Sequence, residues 1–248
     1  FEQAGKSTNG LQVGITPKTI RSLSYKAKSG QRTIAFSKTS NQKVKAIGTD
    51  WPYAFAHSRL NKFDGSNLDV SNVTEMSHMF ESNSISDLTS LADWDTSNVT
   101  DMSSMFGNHF YMYGSHSTEN LISDLTPLAN WDTGKVTDMS GMFAGNSDVI
   151  DLKPIANWNI SSVKSSFNLF AGDSKLNLIN INNTSLMQGF LKTPRALQGS
   201  SFITNNADLV KAVVGQDLPT FTNTATRTIT FYIPHATPEK TIQHIYYK

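Results

Sequence analysis

A thirteen-residue motif recurs along this chain at intervals too short for separate domains, and it limits what the chain can fold into. The clearest copies are Trp94–Phe106 (WDTSNVTDMSSMF) and Trp131–Phe143 (WDTGKVTDMSGMF). A shortened copy precedes them at Val70–Phe80, and a degenerate copy follows at Trp158–Phe170. Each copy keeps a Val seven places before a closing Phe. Such repetition predicts structural units that stack and share one continuous core.

Each repeat contains two kinds of segment. The first, exemplified by Ser123–Trp131 (SDLTPLANW), carries an early Asp and predicts a short helical turn capped by that Asp. The second, Val-Thr-Asp-Met, is rich in β-branched residues and predicts a short strand. We therefore predict an α/β repeat solenoid, a leucine-rich-repeat-like array of short parallel strands and short helical turns. The predicted core set of one repeat is Leu88, Leu91, Trp94, Val99, Met102, Met105 and Phe106.

The repeats divide the chain into three predicted parts. These are a basic, β-rich N-terminal cap at residues 1–62, an acidic repeat array at 63–191, and a small C-terminal unit at 192–248 comprising a cap and the start of a following β module. The conserved Val recurs at spacings of 26, 37 and 27 residues, so the longer middle interval contains an insert loop, 107–120. Within the C-terminal part, 205–215 predicts an Asn-capped helix and 227–248 predicts a hairpin.

Charge is strongly segregated although the net charge is only +1. Residues 1–62 hold eleven basic and two acidic side chains, whereas residues 63–172 hold three basic and fourteen acidic ones. Such asymmetry indicates which binding partners the charged surfaces attract, and it says nothing about the fold. The chain has no Cys, which excludes disulfides and thiolate metal sites, and it has no apolar run long enough to span a membrane. Because the chain begins with Phe1, we expect it to be a fragment.

No catalytic or phosphate-binding motif is present, so we predict a protein that is not an enzyme and needs no cofactor or metal. A polysaccharide lyase or hydrolase is a remote third class, because no carboxylate or base stands apart from the repeat. The repeated Asp87, Asp124 and Asp151 are interpreted as caps. Glu75, Asp101 and Asp138 should form an acidic row, explained by plain solvation, by a docked basic partner or segment, or by calcium.

Two features outside the repeat rhythm are candidate binding sites. The basic face of the N-terminal part suits a polysaccharide bearing sulfate or uronate groups, although it could equally be a solvated surface without a ligand. Nucleic acid is disfavoured because the repeats are acidic and show no groove-reading element. The insert carries aromatic and His side chains that would contact sugars or simply pack the loop down. The candidate ligand-binding residues are Lys18, Arg21, Lys26, Lys28, Arg32, Lys43, Lys45, His109, Tyr111, Tyr113 and His116.

The WDTSNVTDMSSMF and ISDLTPLANW strings resemble the BspA-like leucine-rich-repeat surface proteins of Gram-positive bacteria, especially lactobacilli, and the ISDLTPLAN half is also similar to internalin repeats. The resemblance covers about 63–172. It implies a non-catalytic binding module of a cell-surface adhesin, anchored to the cell wall through regions outside this fragment and without direct membrane insertion. The basic N-terminal face and the insert loop favour a host or dietary polysaccharide as the ligand, an anionic one of glycosaminoglycan, mucin or pectin type. The alternative is a host surface protein bound through a concave repeat face, as in internalins.

Overall fold

Regular secondary structure is sparse and its elements are short. The computed structural model describes residues 14–15, 33–36, 43–108, 120–172, 176–179, 181, 184–197, 200–214, 229–232 and 245–247. The strands are β1 (Gly14–Ile15), β2 (Thr33–Ala35), β3 (Val44–Ala46), β4 (Lys62–Asp64), β5 (Leu68–Asp69), β6 (Leu176–Asn177), β7 (Ser201–Thr204), β8 (Ile229–Tyr232) and β9 (Ile245–Tyr247). The α-helices are α1 (Ser185–Lys192) and α2 (Ala207–Val214). Four 3-10 turns lie at Thr89–Leu91, Thr126–Leu128, Lys153–Ile155 and Pro194–Leu197.

The strands form three small sheets. In the first, β3 lies between β1 and β5, and both pairings are parallel. In the second, β2 pairs in parallel with β4. In the third, β6 pairs in parallel with β7, and β7, β8 and β9 continue as antiparallel neighbours. Every strand pairing in these two N-terminal sheets is parallel.

The leucine-rich-repeat-like α/β solenoid predicted from the repeats, with its β-rich cap and small C-terminal unit, is wrong. The described residues show a few short strands in small sheets and only two α-helices, both near the C-terminal end. The Val-Thr-Asp-Met segments, predicted as strands, make isolated single-residue bridges instead. The predicted short helical segments are single 3-10 turns.

The acidic side chain of three motif copies caps a turn that follows the single bridged residue. Asp101 pairs on both sides through parallel bridges to Glu75 and Asp138. Its own Oδ1 then accepts the backbone N–H of Ser103 at 2.8 Å. A carboxylate that bonds the backbone two residues ahead forms an Asx-type turn. Backbone hydrogen bonds between copies continue beyond this turn, as from the His78 N–H to the Ser103 carbonyl, so the copies stay paired through turn residues rather than through a regular strand.

Aromatic side chains stack from copy to copy through the centre of the repeats. The closing Phe80 and Phe106 rings lie 5.6 Å apart and are nearly parallel, and Phe143 continues the stack 5.8 Å from Phe106. Trp94 and Trp131 form a second stack at 6.4 Å. All seven residues predicted as the core set of one repeat are buried, which confirms that part of the sequence interpretation.

A second internal row consists of three buried asparagines, Asn83, Asn120 and Asn146. The Nδ2 group of Asn120 donates to the carbonyls of Phe80 and Phe106, thereby joining the closing residues of two successive copies. Its Oδ1 accepts the N–H of Ile85 at 3.2 Å. Because buried polar groups must be paired, these amides satisfy backbone groups that a regular strand would have paired.

Helix α1 packs against the last repeat copy. Phe190 meets the last ring of the stack, Phe170, edge to face at 6.3 Å. Gly189 lies so close to Ile160 that an added Cβ would overlap its Cδ1 and Cγ1 atoms. The predicted Asn-capped helix is confirmed as α2, since the Oδ1 of Asn206 accepts the N–H of Leu209. The predicted hairpin is confirmed by the antiparallel pairing of β8 with β9.

Candidate functional site

A further copy of the repeat precedes those visible in the sequence. Residues 49–55 (TDWPYAF) place a Thr-acid pair five positions before a closing Phe, as Thr74-Glu75 does before Phe80. The structure aligns this copy with the next, because Asp50 bridges Glu75 and the Phe55 ring stacks 5.3 Å from Phe80. Sequence reasoning missed this copy because Trp51 stands where three other copies have Met and Gly48 stands where all four have Val. The Thr-acid-x4-Phe spacing was the signal that could have found it.

One outward position in each copy has a left-handed backbone. It is occupied by Tyr53, His78, Ser104, Gly141 and Asn168, all with φ between 51° and 64°. Gly and Asn are the residues that accept this conformation most readily, whereas Tyr at positive φ is a genuine outlier. Holding a bulky side chain there costs of order 1 kcal/mol. The first two copies therefore present two rings at a position where glycine would fit with less strain.

The two rings lie against each other and above a buried carboxylate. The Tyr53 and His78 rings stack with centroids 4.3 Å apart and planes 6° from parallel. Glu81 is 5% exposed, and its Oε2 lies 3.1 Å from Nδ1 of His78 and 3.6 Å from Nε2 of His57. At 3.1 Å, Nδ1 of His78 is within hydrogen-bonding distance of this carboxylate oxygen. We call Tyr53, His57, His78 and Glu81 the ring site.

All four residues of the ring site depart from the repeat. At the position of Glu81, all other copies have Gly or Ala. At the position of His57, the other copies have small or amide side chains. Backbone bonds fix the arrangement: the N–H of Tyr53 donates to Ser77 and the N–H of His57 donates to Glu81. Comparing copies position by position would have revealed these departures once the copy at 49–55 was recognised.

The potential at the ring site is negative. Partial burial, followed by the negative charges of Glu81 and Glu75, raises the pKa of the Tyr53 hydroxyl. Tyr53 itself is 43% exposed, so its ring remains accessible to a partner. In the part of the chain that the structure describes, neither Lys nor Arg forms an ion pair with Glu75. An exposed ring in a negative field can attract a cation but not an anion.

Of the predicted basic face, only Lys43 and Lys45 are among the described residues. Lys43 directly precedes β3 and Lys45 lies within it, and the two alternate with the buried Val44 and Ala46. This alternation directs both side chains, here called the β3 lysines, away from the core. Lys43 is exposed and Lys45 is half-buried opposite Asp69 of β5. The other predicted ligand-binding residues lie outside the described residues, namely Lys18, Arg21, Lys26, Lys28, Arg32, His109, Tyr111, Tyr113 and His116.

The two residues that flank the insert, Asn108 and Asn120, are hydrogen-bonded to each other, and we call this pair the neck. Asn120 donates its N–H to Oδ1 of Asn108 at 2.7 Å, and Nδ2 of Asn108 donates to the Asn120 carbonyl at 3.3 Å. Asn108 also reaches the carbonyl of Gly145 in the following copy. The neck restores the repeat register after the insert, because Asn120 takes the same buried position as Asn83 and Asn146.

The repeated acids have structural partners. Asp87, Asp124 and Asp151 each accept the backbone N–H two residues ahead, at 2.8 to 3.0 Å, and so stabilise the 3-10 turns. Each Asp lies one residue before the turn's N-cap position rather than at it. Hydrogen bonds from Thr89 lower the pKa of Asp87, and bonds from Thr126 do the same for Asp124. The predicted acidic row is present as the bridged Glu75, Asp101 and Asp138.

Metal ligation finds no support within the described ranges. No three His, Asp or Glu side chains there converge as metal ligands would. Neither α1, α2 nor any other described helix has the length and hydrophobicity that a membrane crossing requires.

The ladder of turns, the stacked rings and the buried asparagines define a chain built from tandem copies of one short unit. Two matches to one family model cover this region, at residues 49–112 and 108–193. The family is described as "Mycoplasma protein of unknown function, DUF285". The matches span more than half of the 248 residues, and the chain belongs to this family. The first match begins where the additional copy begins. No curated protein and no solved structure matches the chain.

Proposed function

We propose that the chain is a non-catalytic binding module of a bacterial cell-surface adhesin and that its ligand is an anionic host or dietary polysaccharide. One observation carries the ligand class: Lys43, directly before β3, and Lys45, within β3, point outward while Val44 and Ala46 enter the core. Outward cations on a strand are placed to meet sulfate or carboxylate groups. Both belong to a chain segment whose eleven basic side chains outnumber two acidic ones.

The non-catalytic part of the proposal is supported by how the repeat uses its polar side chains. The repeated Asp and Asn side chains are engaged with backbone groups of their own or neighbouring copies. Asp138 accepts from Ser140, and Asn146 donates to Phe106 and Phe143. Side chains that hold turns in every copy do not supply the single differentiated acid or base that general acid–base catalysis needs.

A glycan array probed with the full chain tests the proposal. We expect retention on sulfated or uronate-bearing polysaccharides and none on neutral ones. Binding should weaken steeply as salt rises towards about 0.5 M, because the Debye length falls to about 3 Å by 1 M. A Lys43→Glu/Lys45→Glu variant should lose most of the binding, and the triple charge reversal of Arg21, Lys26 and Lys28 should abolish it.

The matched control is Lys135→Glu, which reverses one charge on an exposed lysine that bonds Asn98 within the repeats. It should bind as the unaltered chain does. Retention that is indifferent to salt and to the β3 lysines would contradict the proposed ligand class. Release of shortened or unsaturated sugars from a bound polysaccharide would instead overturn the non-catalytic assignment.

A further inference from the structure

The ring site has a charge preference opposite to that of the β3 lysines. Its exposed group is the Tyr53 ring, held at a fixed angle by the stack on His78. The carboxylates that act on Tyr53 are those of Glu81 and Glu75. An anionic polysaccharide would be repelled here, so the ring site needs a different occupant from the one proposed above.

Glu75 lies three residues before His78, whose ring stacks on Tyr53, and its charge acts on Tyr53. It is half-buried, and its Oε1 accepts the N–H of Ser77 at 2.7 Å. A carboxylate has about four lone-pair sites on its two oxygens, so one backbone bond does not exhaust its accepting capacity. Bridging to Asp50 and Asp101 holds Glu75 in place between two copies of the repeat. Ring and carboxylate are thus both positioned before any partner arrives.

A guanidinium group matches this pair of features better than an ammonium group does. It is planar, stacks on aromatic faces and can bond a carboxylate through two N–H groups at once. An ammonium is a strongly hydrated point charge and gains less from a flat ring. Placing the Tyr53 ring at this position requires a strained backbone with φ of 56°. Strained backbone conformations of this kind are concentrated at ligand-binding and active sites.

We propose that the ring site, together with Glu75, binds an arginine side chain presented by a protein partner. The guanidinium stacks on the exposed face of Tyr53 and donates hydrogen bonds to the Glu75 carboxylate. Glu81 adds negative potential from below and keeps His78, and through it Tyr53, in position. This goes beyond polysaccharide binding, because it assigns a second ligand of opposite charge to a separate surface.

The test is calorimetric titration of the full chain with four probes at neutral pH and low salt. The first is a Gly-Ser peptide carrying two arginines. The second replaces each arginine by citrulline, which keeps the planar shape but removes the charge. The third carries lysines, and the fourth is an oligomer of glucosamine. We expect binding of the arginine peptide, at least about fivefold weaker binding of the lysine peptide, and no measurable binding of the other two.

Two variants locate the binding. Tyr53→Gly removes the ring and suits the local φ of 56°, since Gly141 occupies the equivalent position in a later copy. Glu75→Gln keeps the acceptor for Ser77 but removes the charge. Each should weaken arginine-peptide binding at least about fivefold. Near-ultraviolet circular dichroism reports whether each variant is folded.

The matched charge control is Asp95→Asn, which removes one carboxylate from another edge and keeps the acceptor for Ser97. It should leave the affinity unchanged. Equal loss in Asp95→Asn and Glu75→Gln would overturn the inference, because attraction would then be diffuse. It is also overturned if the citrulline, lysine or glucosamine probe binds as tightly as the arginine peptide, or if the arginine peptide does not bind. None of these outcomes depends on whether the β3 lysines bind a polysaccharide.

Discussion

The buried amide of Asn83 provides the sharpest test of how the repeats are held together. Its Nδ2 donates to the carbonyls of Phe55 and Phe80, and its Oδ1 accepts the N–H of Leu60, all at 2.9 to 3.0 Å. A fourth, longer bond runs from Nδ2 to the Glu81 carbonyl at 3.4 Å, and Asn83→Ala removes all four at once. The Glu81 carbonyl keeps the N–H of His57. The cost depends on which partners find another bond, because an unsatisfied buried group costs more than a lost bond does.

Two backbone groups that bond Asn83 are left without a hydrogen-bond partner in the Ala variant. The Phe80 carbonyl keeps a donor, since Nδ2 of Asn120 also bonds it. The Phe55 carbonyl and the Leu60 N–H have no other hydrogen bond in the described residues. At about 1–3 kcal/mol for each unsatisfied group, Asn83→Ala should destabilise the fold by about 4 kcal/mol. That is a large part of a typical stability of about 5–15 kcal/mol.

Asn146→Ala is the informative comparison, because it removes a similar amide but orphans fewer groups. The Phe106 carbonyl keeps its bond from Asn120, and the Phe143 carbonyl keeps the N–H of residue 146 itself. Only the Ile122 N–H, whose bond to Oδ1 is 3.4 Å long, loses its partner. We expect a loss of about 2 kcal/mol. The exposed Asn98→Ala, which bonds Ser71 at the surface, should stay within about 0.5 kcal/mol of the parent chain.

Urea unfolding followed by tryptophan fluorescence measures these differences, since Trp51, Trp94, Trp131 and Trp158 are all buried. The urea concentration at the midpoint should be highest for Asn98→Ala, lower for Asn146→Ala and lowest for Asn83→Ala, with little change in the slope of the transition. If Asn83→Ala and Asn98→Ala unfold at the same midpoint, the accounting by orphaned groups is refuted. Equal losses for Asn83→Ala and Asn146→Ala would refute the part that depends on shared acceptors.

Two further expectations concern acid stability and the packing of α1. Hydrogen bonds from the following turn residues lower the pKa of Asp87, Asp95 and Asp124, so their stabilisation is complete above the unfolded pKa of about 3.9 and is lost as pH falls through the lower folded pKa. The triple Asp→Asn variant keeps the acceptor oxygens, and thermal unfolding below about pH 5 should show a flatter pH profile than the parent. Gly189→Ala should destabilise the fold by at least about 1 kcal/mol despite the better helix propensity of Ala, because its Cβ overlaps Ile160. Thermal melts should show recovery in the double variant with Ile160→Ala, and a Gly189→Ala chain as stable as the parent would contradict this packing.

Local pattern was sufficient to predict the repeat unit and its interior. The spacing of Leu88, Trp94, Val99 and Phe106 predicted burial correctly, because apolar residues that recur in every copy can be satisfied only by a shared core. The turn-stabilising acids followed from short-range chemistry, since a carboxylate and an N–H two residues away meet whatever the rest of the chain does. Helix α2 and the β8–β9 hairpin were likewise encoded in adjacent residues.

Pairing between copies could not be predicted, and there the expected leucine-rich-repeat-like array failed. Whether Val-Thr-Asp-Met extends into a strand depends on a competition between ladder bonds to neighbouring copies and the carboxylate's bond to its own backbone. The β-branched residues favour the strand, but Asp101 and Asp138 each cap a turn after one bridged residue, and the hydrogen bonds between copies continue from turn residues. Propensity measures only the local side of that competition.

The amino-acid sequence by itself determined the repeat, its buried residues, its turn acids and the segregation of charge, because each depends on composition or on contacts between near neighbours. Only the tertiary structure decided that residues 49–55 pair with the next copy and that Tyr53, His57, His78 and Glu81 meet. These side chains come from successive copies whose pairing is long-range. Their proximity is created by the stacking of the copies, and no spacing along the chain specifies it on its own.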